Sequence, residues 1–289
     1  MTGKATAIAH GAATIVNAIA LGKGAAFGVD LWTKAEVKIT NKPGVIEVEI
    51  TNDVNESPLL VQKTVFRVLQ KFNLEKIFGA NIKTKSNIPI ARGLKSSSAA
   101  ANAVALATKA ALKTALDDLE LVKLGVEAAF DAQVTVTGAF DDACASFFGG
   151  AVITDNTNKE ILQQIPLPQD YMVLFHVPAQ KAYTADTDVN SLQTVTPLVE
   201  VAFDAAMAGK LWEALTLNGL IYSSAQGYNT KIALDALAAG AVAAGLCGKG
   251  PAVTAVVPND KLDSVKAALQ QYEGEILEAH LNREKAKVL

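Results

Sequence analysis

Hydrophobic and polar residues alternate in two short stretches near the start of the chain, with the period of half-buried β-strands. Val37 and Ile39 flank Lys38, and the branched residues of 46–50 are separated by glutamates. Between the two stretches, residues 41–44 supply asparagine, proline and glycine, which favour a tight turn. The pattern predicts an antiparallel hairpin.

The next stretch changes to the 3.6-residue period of a helix. Ser57 and Pro58 form a typical helix start, and apolar residues then recur on one face at Val61, Val65, Val68, Leu69 and Phe72. We expect a helix of about four turns here. A short strand is predicted over 82–86, and an alanine-rich helix over 99–115 that starts at a serine cluster.

Similar patterns organise the second half of the chain. Asp117, with Glu120 three residues later, predicts the start of a helix that runs to about residue 132. The further predicted elements are an extended stretch at 134–136, a turn into a short helix at 138–148, a hairpin of 151–154 with 160–165, a strand at 171–177, helices at 196–208, 210–224 and 231–244, and a strand, a helix and a strand at 252–257, 261–271 and 274–280. We place a domain boundary near residue 165, which gives domains 1–165 and 166–289 of the α+β class.

Composition narrows the possible functions. The chain has 289 residues, half of them hydrophobic, and a net charge of −3 without a basic stripe, which argues against nucleic acid as a partner. Lys109 and Lys113 interrupt the alanine-rich run, and His10 and Asn17 break the apolar N-terminus, so we expect neither a membrane span nor an export signal. Two cysteines are too few for a disulfide framework and suit a cytoplasmic protein.

The strongest chemical signal is a glycine- and serine-rich loop between the strand at 82–86 and the alanine-rich helix. Glycine lets the backbone approach an anion, and a helix start offers unpaired N–H groups and the positive end of the helix dipole. A helix cap needs one serine, whereas this segment has three, together with two cations. We therefore predict phosphate binding by Pro89, Ala91, Arg92, Gly93, Leu94, Lys95, Ser96, Ser97, Ser98 and Ala99.

Three motifs carry a resemblance to a known family. Residues 89–100 resemble the second motif of the GHMP kinases, which include galactokinase, homoserine kinase and mevalonate kinase. Residues 245–252 resemble the glycine-rich third motif, and 137–150 resemble the catalytic-aspartate segment. More narrowly, residues 10–28, the K-S-S-S form of the loop and the T-G-A-F-D-D-A stretch are similar to the archaeal-type shikimate kinases.

The resemblance implies a two-domain fold with a ferredoxin-like C-terminal domain, ATP over the serine-rich loop and the substrate between the domains. The implied activity is phosphorylation of the 3-hydroxyl of shikimate with ATP and Mg²⁺, in aromatic amino-acid biosynthesis. The alternatives are a homoserine or mevalonate kinase, a decarboxylase that phosphorylates transiently, and a non-catalytic ligand-binding relative. Lys95 stands where most of the superfamily has glycine, so either its backbone is less free or its ammonium contacts a phosphate.

Asp141 and Asp142 are the candidate catalytic residues, because phosphoryl transfer to an alcohol needs a carboxylate or similar group near the acceptor hydroxyl. Asp142 lies seven residues before Gly149 and four before Ser146, as in the family pattern, so we predict that Asp142 is the base. The alternative role for Asp141 is to cap the short helix that carries Asp142.

Magnesium prefers oxygen ligands, and Ser96 or Ser97 is one candidate. The resemblance implies an acid from the preceding helix, for which Glu127 and Asp131 are the candidates. Shikimate has a carboxylate and three hydroxyls, which call for a cation and several hydrogen-bonding groups. The predicted substrate residues are His10, Asn17, Lys23, Thr137, Gly248 and Gly250, together with the polar stretch 181–188.

Overall fold

The computed structural model describes residues 3–51, 56–90, 93–135, 137–179 and 192–289. In these ranges the strands are β1 (Lys4–Val16), β2 (Lys23–Thr40), β3 (Ile46–Ile50), β4 (Gly79–Ser86), β5 (Ala151–Asp155), β6 (Glu160–Ile165), β7 (Tyr171–Val177), β8 (Ala243–Leu246), β9 (Val253–Pro258), β10 (Glu275–His280) and β11 (Lys287–Val288). The α-helices are α1 (Leu59–Lys71), α2 (Ser96–Leu112), α3 (Asp118–Asp131), α4 (Phe140–Phe148), α5 (Thr196–Met207), α6 (Leu211–Ala225), α7 (Lys231–Ala238) and α8 (Leu262–Leu269).

β1 and β2 form the centre of the larger sheet. Its order in the described ranges is β11-β1-β2-β4-β3, with β5 paired to β2 and β6 paired to β5. Small residues on both faces of β1 and β2 allow helices to approach closely. Ala12 and Ala26 share a core with α2 and α4, whereas Ala13 and Ala25, on the opposite face, share one with α5 and α6.

The helices on the first face are tied together by buried polar groups. The Nδ2 atom of Asn102 donates to the carbonyl of Ala143 at 2.9 Å and to the hydroxyl of Ser146 at 3.1 Å, which joins α2 to α4. α3 starts as predicted, because the Asp117 carboxylate accepts a hydrogen bond from the N–H of Leu119. Within the described part of the chain, none of the helices has both the length and the apolarity needed to cross a membrane.

The second sheet is antiparallel, with the order β10-β7-β9-β8, which is the strand order of a ferredoxin-like domain. α6 connects this half of the molecule to the turn after β1. The Oδ1 atom of Asn218 accepts a hydrogen bond from the N–H of Asn17 at 3.1 Å, and the hydroxyl of Tyr222 donates to the carbonyl of Asn17 at 3.2 Å. Two side chains of α6 in the C-terminal half therefore bind the backbone of Asn17, directly after β1.

The predicted hairpin of β2 with β3 is wrong. β3 pairs with β4 in parallel, and β4 pairs with β2 in antiparallel orientation, so β4 lies between them. A parallel pair needs a crossover connection, which α1 supplies between β3 and β4. Alternation identifies a strand but does not identify its neighbour in the sheet.

Other differences also follow from packing. The sequence pattern predicts no strand for β1 or for the start of β2, because burial on both faces removes the alternation. The helix predicted over 231–244 ends at Ala238, and Ala243 begins β8, the edge strand of the second sheet. Val134 and Thr135 belong to no strand, and residue 136 lies outside the described residues.

The chain passes from the larger sheet to the smaller one between β6 and β7, close to the boundary predicted near residue 165. β11 returns to the larger sheet, where Val288 pairs with Ala7. The backbone N–H of Asn282 also donates to the carbonyl of Gly28, and the carbonyl of Asn282 accepts from the N–H of Gly150. The end of the chain thus packs against the predicted first domain, and the domain limits stay a prediction.

Candidate active site

A cavity of about 470 Å³ lies where the first turns of α2 and α4 meet. Ser96 and Ser97 line it from α2, and Asp141 and Asp142 line it from α4. The end of β1, the end of β4 and the first turn of α1 contribute the rest of the wall. A concave site of this volume, with a mixed polar and apolar lining, is typical of small-molecule binding.

α2 starts at the cavity without a side-chain cap on its backbone N–H groups. Lys95 occupies the N-cap position in the left-handed conformation, with a φ of 61°, which is unfavourable for a residue with a side chain. Ser98 and Ala99 lie behind the wall and are buried in the helix. The uncapped N–H groups and the helix dipole together make this end suitable for an anion.

A glycine-rich segment supports the loop before α2. Gly93 has a φ of 87°, and a Cβ there would lie 2.5 Å from the carbonyl oxygen of Cys247. The thiol of Cys247 donates to the carbonyl of Gly93 at 3.1 Å. A Cβ on Gly248 would lie 2.7 Å from the Nζ atom of Lys95. Gly248 and Gly250 therefore belong to the support of the loop and do not themselves line the cavity.

α4 presents two carboxylates in its first turn, because it begins at Phe140 with Ala139 as its N-cap. Asp141 therefore does not cap the helix, and that alternative is wrong. The Oδ2 atom of Asp142 forms an ion pair with the Nζ atom of Lys95 at 2.8 Å. The Oδ1 atom of Asp142 is buried and has no hydrogen-bond partner in the described part of the chain. The Lys95 ammonium thus binds one carboxylate oxygen of Asp142, and the other oxygen can accept a hydrogen bond from a ligand.

A chain of hydrogen bonds orients Asp141. Its Oδ1 atom accepts from the Nδ2 atom of Asn156 at 2.8 Å, and the hydroxyl of Thr154 donates to the Oδ1 atom of Asn156 at 2.6 Å. The other carboxylate oxygen lies against Gly24, where a Cβ would approach it to 2.6 Å. Sequence reasoning missed Gly24, Thr154 and Asn156, since no local spacing connects a strand glycine and a hairpin with Asp141.

Burial sets the protonation of these groups. Burial, and then the charge of Asp141, raise the pKa of Asp142 to about 7, against the opposing effect of Lys95. Burial also raises the pKa of Asp141, opposed by Lys95 and by the hydrogen bond from Asn156. Burial alone would lower the pKa of Lys95, but the nearby acidic groups, Asp142 foremost, outweigh it and the pKa is raised. Active sites that use acid–base catalysis often contain a carboxylate that titrates near neutral pH beside a lysine that stays protonated.

The predicted substrate residues fall into two groups. Asn17 and Thr137 line the cavity. His10 lies on β1 away from the cavity wall, and its carbonyl accepts a hydrogen bond from the hydroxyl of Ser146 at 2.6 Å. Lys23 is exposed at the start of β2, also away from the wall. The structure therefore brings Asn17 and Thr137 to the aspartates and does not bring His10 or Lys23 there.

The two acids predicted as metal ligands have other partners. Arg67 donates to both carboxylate oxygens of Asp131 at 2.6 and 2.7 Å, and it pairs with Glu127 at 3.6 Å. Neither acid lines the cavity. Among the described residues, no group of three or more histidine, cysteine, aspartate or glutamate side chains is arranged to hold a metal ion. Ser96 and Ser97 line the cavity at the start of α2 and carry hydroxyl oxygens of the kind that a metal ion can bind.

Ala91, Arg92 and the polar stretch 181–188 lie outside the described residues, and their roles stay predictions. Pro89 is half-buried just before the cavity, and Leu94 lines it.

A family model and curated relatives of this chain indicate the same protein family. Residues 60–150, which span α1 to α4, match the model of the GHMP kinases N terminal domain. A shikimate kinase of Methanosarcina mazei is 45% identical over 284 residues, covering 98% of this chain and 96% of that protein. A shikimate kinase of Pyrococcus abyssi is 43% identical over 248 residues, covering 86% of this chain and 89% of that protein.

Solved structures share the fold at much lower identity. A homoserine kinase from Cytophaga hutchinsonii superposes with a TM-score of 0.76 and 17% identity, covering 100% of this chain and 98% of the other. A mevalonate kinase from Methanococcus jannaschii gives a TM-score of 0.75 and 18% identity, covering 96% and 98%. These likenesses confirm the predicted α+β fold.

Proposed function

The chain belongs to the GHMP kinase family, and we propose that it transfers the γ-phosphoryl group of ATP to the 3-hydroxyl of shikimate, which gives shikimate 3-phosphate for chorismate biosynthesis. The observation that carries the proposal is the Lys95–Asp142 pair beside the uncapped start of α2. A cation, a carboxylate with an unpartnered oxygen and an anion-binding helix start are what phosphoryl transfer to an alcohol requires. We place the reaction in the cytoplasm, which suits the two free cysteines.

In this proposal ATP lies along the wall formed by α1, β4 and α2. Leu59, Leu60 and Ile90 offer an apolar surface for the base. The backbone N–H groups of Ser96 and Ser97, in the first turn of α2, offer donors for the phosphates at the positive end of the helix. The phosphates then come close to the ammonium of Lys95, the residue that directly precedes Ser96 in the chain.

We assign Asp142 as the proton acceptor. The 3-hydroxyl of shikimate donates a hydrogen bond to the Oδ1 atom of Asp142. As the hydroxyl oxygen bonds to the γ-phosphorus, the bond from that phosphorus to the bridging oxygen breaks, ADP leaves, and the proton passes to Asp142. The charge of Lys95 favours the ionised form of this carboxylate and faces the negative charge of the transferred group. Asp141, oriented by Asn156, positions the acceptor.

Magnesium fits this arrangement through Ser96 and Ser97, because Mg²⁺ usually takes one or two protein ligands beside phosphates and water. When bound with ATP, the ion supplies charge neutralisation of the phosphates. Glu127 and Asp131 are not part of the proposal, since Arg67 holds both.

An assay of ADP release with a panel of acceptors tests the proposed function. The purified protein receives ATP, Mg²⁺ and either shikimate, homoserine, mevalonate, galactose or no acceptor. We expect only shikimate to stimulate ADP release, with shikimate 3-phosphate detected by mass spectrometry. Stimulation by homoserine or mevalonate alone would assign the protein to that branch of the family. Negligible release with every acceptor would favour a ligand-binding relative without activity.

Replacing Ser96 and Ser97 together by alanine should weaken the use of ATP. Hydrogen bonds to charged groups are each worth about 1.5–3 kcal/mol, so we expect the KM for ATP to rise by about tenfold or more. The matched control replaces Ser224 and Ser264, two exposed helical serines outside the cavity, and should behave as wild type. An unchanged KM for ATP together with an unchanged kcat would exclude the two hydroxyls from ATP and Mg²⁺ binding.

A further inference from the structure

Two buried polar atoms of the cavity wall have no hydrogen-bond partner among the described residues. One is the Oδ1 atom of Asp142, and the other is the Oγ1 atom of Thr14, a residue that is 2% exposed. Buried polar atoms without a partner are destabilising, and native proteins contain few of them. Two such atoms in one cavity indicate a ligand that supplies at least two polar groups.

The register of β1 and β2 places Thr14 on the side of the aspartates. Thr14 pairs with Ala26, and directly opposed residues in antiparallel strands point to the same face. Gly24, two residues before Ala26, presents this face and lies against the carboxylate of Asp141. Ala12 and Ala26 pack toward α4 on the same face. The side chain of Thr14 therefore extends toward the start of α4.

The strand is irregular at this position. The register of β1 with β2 shifts between Thr14 and Val16, which marks a bulge. Bulges often occur beside active sites, where they change the direction of a side chain. Asn17, which follows the bulge, lines the same cavity.

We propose that Thr14 binds a second oxygen of the acceptor while Asp142 receives the hydroxyl that is phosphorylated, an inference that rests on the proposed function. A threonine hydroxyl both donates and accepts, so it suits a neighbouring hydroxyl of a polyhydroxylated acid such as shikimate. An acceptor without that hydroxyl leaves Thr14 unpaired in a buried site and is used less efficiently. Thr14 is thus a specificity-determining residue.

Thr14→Val tests this inference, because valine keeps the shape of threonine and removes only the hydroxyl. We expect kcat/KM for shikimate to fall about five- to tenfold, mainly through KM, with the KM for ATP unchanged. Thr14→Ser should keep most of the activity. The matched control is Thr254→Val, which removes another buried strand hydroxyl that has no hydrogen-bond partner in the described part of the chain and lies outside the cavity, and it should change neither KM.

Deoxy analogues of shikimate provide a second test, and its first measurement uses the wild type alone. One of the 4-deoxy and 5-deoxy analogues should be a poor substrate of the wild type, and Thr14→Val should not reduce its kcat/KM further. Equal use of both analogues and shikimate by the wild type would overturn the inference. So would a folded Thr14→Val variant with a wild-type KM for shikimate. If the wild type does not phosphorylate shikimate at all, the proposed function is contradicted together with this inference. If it does, the results above contradict the role of Thr14 alone.

Discussion

Asp142→Asn is expected to reduce kcat by about 100- to 10,000-fold, the usual range for the loss of a general base. Asparagine keeps the shape of the side chain and an oxygen that can face Lys95, but it cannot take the proton of the acceptor hydroxyl. ATP and shikimate should therefore still bind. The measurements are turnover with both substrates saturating and calorimetric binding of each substrate to the variant.

Two comparison variants make the result specific. Asp118→Asn also removes a first-turn helix aspartate that is paired with lysines, Lys109 and Lys285, but it lies outside the cavity and should leave kcat unchanged. Asp141→Asn should stay folded and lose much less turnover than Asp142→Asn. A dead Asp141→Asn beside an active Asp142→Asn would reverse the assignment. If both stay active, transfer depends on electrostatics and positioning alone.

The pH profile gives a second readout of Asp142. The carboxylate must be ionised to accept a proton, and its pKa is raised to about 7 by burial and by Asp141. In the wild type, kcat/KM for shikimate should therefore fall as the pH is lowered through about 7, by about tenfold per unit well below it. This limb should be absent in Asp142→Asn. A wild-type profile that is flat from about pH 5 to 8 would contradict the assigned base.

Lys95→Gly should lower kcat by about 100- to 1,000-fold, because it removes the cation that faces both the base and the transferred charge. Glycine adopts the left-handed conformation of residue 95 without strain, so the loop backbone should be retained. Without the ammonium, burial of Asp142 is no longer opposed by a nearby cation, and its pKa rises further. The acid limb of kcat/KM should accordingly move to higher pH.

Lys113→Gly is the matched control for this change. Lys113 ends α2, the helix that Lys95 starts, and it is also a lysine in the left-handed conformation, with a φ of 55°. It is exposed and does not line the cavity, so its replacement should leave kcat and the pH profile unchanged. If Lys95→Gly keeps the wild-type kcat and acid limb, Lys95 has a purely structural role.

Much of the candidate site could be predicted because its chemistry is local. The serine-rich start of α2, the paired aspartates of α4 and the Asp117 cap of α3 each depend on residues within about one helical turn. A helix start exposes the same N–H groups wherever the helix later packs. Local spacing therefore indicated the serine-rich helix start and the Asp117 cap, and together with the family resemblance it indicated Asp142.

The partners of these residues could not be predicted in the same way. Lys95 and Asp142 were each recognised, but their ion pair forms only because α2 and α4 pack side by side through Asn102. Asp131 was expected at a metal site, yet it meets Arg67 from a position 64 residues away in the chain. An ion pair between two helices depends on which faces of the helices pack together, and the spacing within one helix does not specify its partner.

The local period of the chain determines which segments form helices and half-buried strands, and the residue types at helix starts predict an anion site. Tertiary packing decides the rest. It inserts β4 between β2 and β3, buries β1 on both faces, brings Thr14 and Gly24 to the aspartates, and leaves His10 and Lys23 away from the cavity. The physical reason is that burial and pairing are shared between segments distant in sequence, so the pattern of one segment does not specify its neighbour.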